Sequence, residues 1–177
     1  MSASSRAGIA ALALALGLAG GCATPSDPAK MVAITAPAAH RSEGSISVAV
    51  TGGQETSSVH SSQISDAAFA QALRDSLATS GLFAAVKDEG TYKLNAHIGK
   101  LSQPKVGFDM KVDMEVGYTL VDTRSGERVL RKSIASSHVA TTGDALAGVD
   151  RVRLANEGAA RKNIEAFLAE VARLRLP

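Results

Sequence analysis

The chain has 177 residues, of which 45% are hydrophobic, so it is long enough for one packed domain. Its 19 basic and 17 acidic side chains nearly cancel, which argues against a dedicated nucleic-acid-binding protein. Aromatic residues make up 3% of the chain, and a single cysteine excludes both an intramolecular disulfide and a cysteine-based zinc cluster.

The amino-terminal residues have the pattern of a secretory signal peptide. Arg6 supplies a positive charge, and an uncharged, mainly apolar run follows it over residues 7–18. This run is too short for a membrane-spanning helix, which needs roughly 20 residues. Three small residues then lead to Cys22. The pattern predicts export from the cytoplasm and removal of this segment.

Residues 18–22, LAGGC, resemble the lipobox of bacterial lipoproteins, although Ala19 stands where leucine is usual. In that family the cysteine is acylated and the peptide is cut just before it. The resemblance implies a signal peptide over 1–21 and a lipid anchor on Cys22. Ala23 is not the aspartate that favours inner-membrane retention, which implies outer-membrane placement facing the periplasm. The alternative is ordinary cleavage nearby, for example after Ala23, which leaves a soluble periplasmic protein.

Residues 22–44 are rich in Ala, Pro and Ser, and we predict a flexible tether that holds the domain away from the membrane. The alternative is partial docking, with residues 31–34 as a short strand. From residue 45 the patterns become regular, and we expect a single domain over 45–177.

Alternation of apolar and polar residues predicts strands near 46–50, 92–98 and 108–120, and a weaker one over 127–137. Ser65 and Gly81 delimit a helix, and a second apolar helical face runs from Ala160 to Leu174. Residues 138–150 are ambiguous. The order β-α-β-β-β-α predicts an α+β two-layer sandwich, with an antiparallel sheet of about four strands and two helices on one face.

A search for catalytic or metal-binding patterns finds no strong signal. The carboxylates at 109, 113 and 115 alternate along one strand and are best interpreted as its polar face. We therefore predict no enzyme activity, no metal and no cofactor. A hydrolase or metalloenzyme would need acids to converge with histidines that are scattered along the chain. These are His40, His60, His97 and His138.

Four basic residues near the last helix could contact anionic lipid or lipopolysaccharide. The competing interpretation is a solvated helix face that is neutralised by Asp150, Glu157 and Glu165. The four residues are Arg151, Arg153, Arg161 and Lys162.

The layout resembles a group of small envelope lipoproteins that share a lipobox, a Pro/Ala tether and a β-α-β-β-β-α domain. The group includes the LPS-assembly lipoprotein, auxiliary lipoproteins of ABC-type lipid transporters and the amino-terminal domain of the Tol-Pal β-propeller protein. Activators of penicillin-binding proteins are similar too. The residues that carry the resemblance are Cys22, the helix over 65–83 and the strand over 92–101.

This resemblance implies a non-enzymatic lipoprotein that binds or scaffolds an envelope machine for lipid transport or cell-wall assembly. It implies a membrane contact through the lipid and a protein partner in the envelope, without nucleic acid. Such a protein should expose an apolar patch or an edge strand at a loop end, near residues 106–108. The alternative is a lipid- or glycan-binding protein, which would have a concave apolar pocket with a few polar groups.

Overall fold

The computed structural model describes residues 23–35, 40–57 and 61–176. A single helical turn, α1, comes first, and the chain then forms five strands and two longer helices. The elements in chain order are α1 (Pro28–Met31), β1 (Ser42–Thr51), α2 (Asp66–Ser80), β2 (Phe83–Val86), β3 (Tyr92–Ser102), β4 (Met110–Asp122), β5 (Arg128–Ala140) and α3 (Gly148–Ala172).

The five strands form one mixed sheet in the order β2-β1-β3-β4-β5. β3, β4 and β5 are antiparallel neighbours, whereas β1 is parallel to both β2 and β3. The α+β class is confirmed, and the predicted antiparallel sheet of about four strands is met in part: the sheet has five strands, and two of its four pairings are antiparallel. β1 is followed by a helix before the chain returns to the sheet, and such a crossover brings the next strand back in the same direction.

The helices lie on one face of the sheet, with α2 against β1 and β2 and with α3 against β4 and β5. Alternate residues of β3 and β4 point into the core, as their two-residue period predicts. Tyr118 of β4 stacks on Phe167 of α3 with ring centroids 4.2 Å apart. The core therefore lies between the helices and the central strands.

The ends of α2 lie where the sequence predicts them. Ser65 is the N-cap, and its hydroxyl accepts a hydrogen bond from the amide of Ala68 at 3.2 Å. Gly81 ends the helix in the left-handed conformation with φ 67°, which a residue without a Cβ adopts at little cost.

The bounds of β4 and β5 differ from the predicted ones. β4 begins at Met110 rather than at residue 108, and Phe108 lies in the preceding loop with 84% of its surface exposed. The apolar alternation continues into this loop, so periodicity alone extends the strand too far. β5 continues to Ala140, so the ambiguous segment 138–150 contains its end, a turn and the start of α3.

The structure corrects the prediction of a flexible tether over residues 22–44 in the part that it describes, residues 23–35 and 40–44. Met31 and Ala33 are buried between α2 and α3, and β1 already begins at Ser42. The alternative of docking is the observed arrangement, but the docked segment forms a helical turn instead of a strand. Asp27 caps this turn through a hydrogen bond from Ala29, and Pro28 occupies its first position.

Candidate functional site

Strand directions bring several chain segments together at one end of the domain. β3 and β5 end here and β4 begins here, since Ser102 pairs with Asp113 and Ala140 pairs with Met110. Loops 103–109 and 141–147 and the amino-terminal turns of α2 and α3 therefore share this end. We call it the loop end.

The amino-terminal segment, residues 23–35, enters the fold at the loop end through a buried polar network. The amide of Ser26 donates to the carbonyl of Gln63 at 3.2 Å. Asn156 of α3 donates to the carbonyl of Ser62 at 2.9 Å, and Gln103 donates to both Ser62 O and Asn156 Oδ1. These bonds join the segment, α3 and the β3–β4 loop, so the segment has a fixed starting point.

From Ser26 the segment runs between the two helices, away from the loop end. The amide of Ala33 donates to the hydroxyl of Ser76 in α2 at 2.9 Å. Arg161 of α3 donates to the carbonyl of Lys30 at 3.2 Å on the other side. The segment thus fills the space between α2 and α3.

Glu157 of α3 holds the segment from within the protein. Its Oε1 accepts a hydrogen bond from the amide of Asp27 at 2.9 Å and contacts Arg153 Nη1 at 3.4 Å. Its Oε2 is buried without a hydrogen-bond partner among the described residues. Burial raises the pKa of Glu157, while the amide of Asp27 and the charge of Arg153 act in the opposite direction.

The four basic residues singled out from the sequence do not form one surface. Arg151 is buried, and its Nη1 donates to the carbonyls of Ala145 and Leu146 at 2.8 and 2.7 Å. Arg153 bridges Asp150 and Glu157.

The other two basic residues, Arg161 and Lys162, are exposed but face different neighbours. Arg161 contacts the amino-terminal segment, and Lys162 donates to the carbonyl of Ser137 in β5 at 3.1 Å. Arg151 and Arg153 are thus engaged in internal contacts. Anion binding by Arg161 and Lys162 stays a prediction.

The loop end exposes large apolar side chains. Val106 and Phe108 in loop 103–109 are 86% and 84% exposed, and Leu146 in loop 141–147 is 94% exposed. Val149, in the first turn of α3, is also exposed. This agrees with the apolar patch expected near residues 106–108, and Leu146 and Val149 extend it beyond the residues that the sequence indicated.

Loop 141–147 has a defined conformation. Asp144 accepts hydrogen bonds from both the amide and the hydroxyl of Thr141 at 2.7 and 2.9 Å, and these bonds lower the pKa of Asp144. Arg151 donates to the carbonyls of Ala145 and Leu146 and so holds the last part of the loop. The backbone therefore presents the Leu146 side chain to solvent.

The candidate catalytic groups have separate, local partners. His97 lies 3.0 Å from the hydroxyl of Thr51 on the exposed sheet face. Asp113 pairs with Lys111 at 2.9 Å, and Glu115 accepts from Ser133 at 2.7 Å. Within residues 23–35, 40–57 and 61–176, no three His, Cys, Asp or Glu residues cluster in a way that could hold a metal ion.

His138 lies beside α3, where it packs against Gly158. Burial and the nearby charges of Lys162 and Arg161 lower the pKa of His138. Its ring therefore stays neutral down to a lower pH than that of an ordinary histidine. Cys22 and His60 lie outside the described residues.

A groove of about 340 Å³ opens where the amino-terminal segment leaves the helices. Its apolar wall is formed by Ile34, Leu82, Leu168 and the alanines at 169 and 172. Ser80 and Glu165 supply polar groups at its margin. The groove lies at the end of α2 and the last turns of α3, on the opposite side of the molecule from the loop end.

Sequence reasoning gave docking of the amino-terminal segment only as the alternative to a tether, and it missed the helical turn and the contacts that hold the segment. Asp27 followed by Pro28 is a recognisable helix start and could have indicated the turn. The hydrogen bonds to Glu157 and Ser76 could not have been found in this way, because they join residues 130 and 43 positions apart.

No helix within the described residues is long and apolar enough to cross a bilayer. No protein-family model matches the sequence, and no curated protein is significantly similar to it. Solved structures do match.

Protein XCC0632 from Xanthomonas campestris, described as DUF330, has a TM-score of 0.65 at 14% identity, over 85% of this chain and 95% of that chain. A candidate lipoprotein from Caulobacter crescentus CB15 has a TM-score of 0.50 at 18% identity, over 72% and 87% of the two chains. A PelC dodecamer from Paraburkholderia phytofirmans also has a TM-score of 0.50 at 18% identity, over 81% and 95%. At these identities the similarities show a shared fold.

Proposed function

We propose that the chain is a non-enzymatic lipoprotein of the bacterial cell envelope, anchored through Cys22 and serving as a binding or scaffold module. The observation that carries this proposal is the docked amino-terminal segment, which starts at the loop end. Ser26, which lies only four residues after Cys22, is held there by the carbonyl of Gln63. Four residues span at most about 14 Å, so a lipid on Cys22 would hold the loop end against the membrane.

Acylation of Cys22 would supply membrane affinity without a membrane-spanning helix. Each buried CH₂ group of an acyl chain contributes about 0.8 kcal/mol, and two or more chains anchor a protein stably. The packed segment would also orient the domain at the membrane, because it does not allow the free rotation that a long flexible linker would. Outer-membrane placement, with the domain in the periplasm, is part of the same proposal and rests on the resemblance to lipoproteins, in which a residue other than aspartate after the cysteine, here Ala23, implies it. The fold shared with the Caulobacter candidate lipoprotein supports an envelope protein.

The surface that we assign to a protein partner is the free edge of β5. This 13-residue strand is last in the sheet order, so one of its edges faces no further strand among the described residues. An added strand can bind such an edge through main-chain hydrogen bonds. With the loop end at the membrane, Ala140 at the end of β5 lies nearest the bilayer, and the start of the strand at Arg128 lies farther out, toward a periplasmic partner. Anchoring then raises the effective concentration of the domain near a membrane-bound machine.

Site-specific photocrosslinking in intact cells tests this role. A photoreactive residue at Arg131 or Ala135, both exposed on β5, should capture one defined envelope protein. The same residue at Lys93, exposed on the inner strand β3, is the control. Cys22→Ala should lower the yield at least about tenfold, since the effective concentration is lost. Equal yields from β5 and Lys93, or an unchanged yield in Cys22→Ala, would contradict the proposal.

A second candidate function, binding of a single lipid, is favoured by the groove beside Ile34. Its volume of about 340 Å³, apolar wall and few polar groups fit a small apolar ligand. Mass spectrometry of lipids extracted from the purified protein tests it. Ala169→Trp should fill the groove and remove the bound lipid, whereas Ala78→Trp, on the exposed face of α2, should retain it. Identical lipid content in both variants would contradict this function.

A further inference from the structure

We propose that the loop end inserts its exposed apolar side chains into the lipid bilayer. The side chains are Val106 and Phe108 of loop 103–109 and Leu146 of loop 141–147. Inserted side chains at these two tips would form a second membrane contact beside the lipid on Cys22. The inference rests on the anchoring proposed above and adds a surface of the folded domain to it.

The exposure of Leu146 is built into the loop. Single apolar residues on a surface are ordinary, but Leu146 is 94% exposed while its own carbonyl is held at 2.7 Å by a buried arginine. Hydrogen bonds from Thr141 to Asp144 hold the first part of the same loop. Because the backbone of the loop is held by these hydrogen bonds, the Leu146 side chain stays on the surface. Its apolar area is therefore available to a lipid bilayer.

Loop 103–109 supplies a matching tip. Gly107 separates Val106 from Phe108, and both side chains are more than four-fifths exposed. The two loops also share a base, because the methyl group of Met110 lies against Gly148 at the start of α3. The apolar tips therefore project from one packed base at the same end of the molecule.

The position of the amino-terminal segment identifies a bilayer as the occupant of this patch. Ser26 is joined to loop 103–109 through Ser62 and Gln103, so the chain that leads to Cys22 leaves the domain beside the tips. A lipid on Cys22 brings this end of the molecule to the membrane before any partner is met. Lys105, exposed between Pro104 and Val106, adds a positive charge that suits anionic headgroups.

The charges around the tips limit the depth of insertion. Asp109 is exposed directly after Phe108, whereas Asp144 is bonded to Thr141 and Asp150 pairs with Arg153. Carboxylates do not enter the hydrocarbon core without a large desolvation penalty. We therefore expect the tips to reach the boundary between headgroups and acyl chains, about 5–10 Å below the surface, where amphipathic anchors lie.

The test uses the full lipidated protein, reconstituted in vesicles of phosphatidylethanolamine and phosphatidylglycerol. The chain has one cysteine, and acylation occupies its sulfur, so a new cysteine can be labelled selectively. Phe108→Cys and Leu146→Cys carry an environment-sensitive fluorophore. Ala84→Cys is the matched control, because Ala84 is apolar and exposed but lies in β2, beside the start of β1 and away from the loop end. Ser125→Cys, in the exposed turn between β4 and β5, is the second control.

Nitroxide-labelled lipid should quench the probes at 108 and 146 at least about threefold more strongly than the control probes, and aqueous iodide should quench them less. Vesicles that float with the protein but show equal quenching at all four positions would overturn insertion and leave the anchoring intact. Probes protected from iodide and from the nitroxide alike would assign the patch to a second copy of the chain, which also overturns insertion. If the protein that retains Cys22 failed to float with the vesicles, this result would overturn the anchoring and the inference with it.

Discussion

At the residue scale, buried polar side chains define how the two layers fit together. Asn163 of α3 accepts a hydrogen bond from the Tyr118 hydroxyl at 2.8 Å and donates to the carbonyl of Ile134 and to Ser136 Oγ. Burial raises the pKa of Tyr118 well above its usual value, so its phenol remains a donor at all physiological pH values. One amide thus links α3 to both β4 and β5.

Asn163→Ala should lower the free energy of unfolding by about 2–3 kcal/mol, because it leaves the Tyr118 hydroxyl and the Ile134 carbonyl buried without their partner. Asn95→Ala, on the exposed face of β3, is the matched control and should change stability by no more than about 0.5 kcal/mol. Urea unfolding of the three proteins measures both values. Equal losses in the two variants would contradict a structural role for Asn163.

The buried carboxyl of Glu157 should make stability depend on pH in a specific direction. Its pKa is raised from the ordinary value of 4.5, so the folded state holds this proton more tightly than the unfolded chain does. Its contribution to stability is therefore greatest below pH 4.5 and declines as the pH rises through the raised pKa.

Glu157→Gln keeps an oxygen for the Asp27 amide and removes the titration, so the stability of the wild type relative to this variant should fall from pH 4 toward neutrality. Urea unfolding at a series of pH values between about 4 and 7 measures the difference. A difference that stays constant, or that grows in favour of the wild type as the pH rises, would contradict the buried carboxyl described here.

At the element scale, the parts of the fold that follow from local signals were predictable. α2 has its cap, its apolar stripe and its terminal glycine within 17 residues, and β3 and β4 alternate over long runs. β2 spans four residues, too few for a period to show, and it exists because β1 offers an edge beside it. The docked segment has only two buried apolar residues, Met31 and Ala33, and their burial depends on helices far away in the chain.

Substitutions in the amino-terminal segment distinguish a docked element from a mobile tether. Met31 is fully buried, so Met31→Ala should lower the free energy of unfolding by about 2–4 kcal/mol. Ile34→Ala changes a side chain that is 81% exposed in the same segment, and its effect should stay within about 0.5 kcal/mol. Two thermal unfolding curves that both match the wild type would mean that the segment does not pack in solution.

Arg151 should matter for one loop rather than for anion binding. Arg151→Gln removes the two hydrogen bonds to the carbonyls of Ala145 and Leu146, so amide hydrogen exchange in loop 141–147 should become at least about tenfold faster. Arg161→Gln, at an exposed position on the same helix, should leave that exchange unchanged. Unchanged exchange in Arg151→Gln would show that the arginine does not hold the loop.

At the scale of the whole molecule, sequence reasoning located the exposed patch better than the basic cluster. An apolar patch at residues 106–108 could be predicted because two large apolar residues flank a glycine between two strands. The basic cluster is close together in sequence only. Successive helix positions turn by 100°, so Arg151 and Arg153 leave α3 in directions about 160° apart, and one of them enters the core.

The whole molecule has one end that combines the start of the docked segment with the exposed apolar tips. A lipid at Cys22 would turn this end toward the bilayer and leave the edge of β5 free. A chain without the lipid would have the same fold but no preferred orientation at a membrane. Anchoring through Cys22 is therefore the claim from which the orientation, the partner surface and the insertion of the tips follow.

The intact mass of the protein extracted from membranes, measured beside that of a Cys22→Ala variant, tests this claim most directly. We expect the mass of residues 22–177 plus the mass of two or more acyl chains, and we expect the variant in the soluble fraction. An unmodified chain that begins after Ala23, found in the soluble fraction for the wild type, would contradict the anchoring. The protein would then be a free periplasmic binding protein.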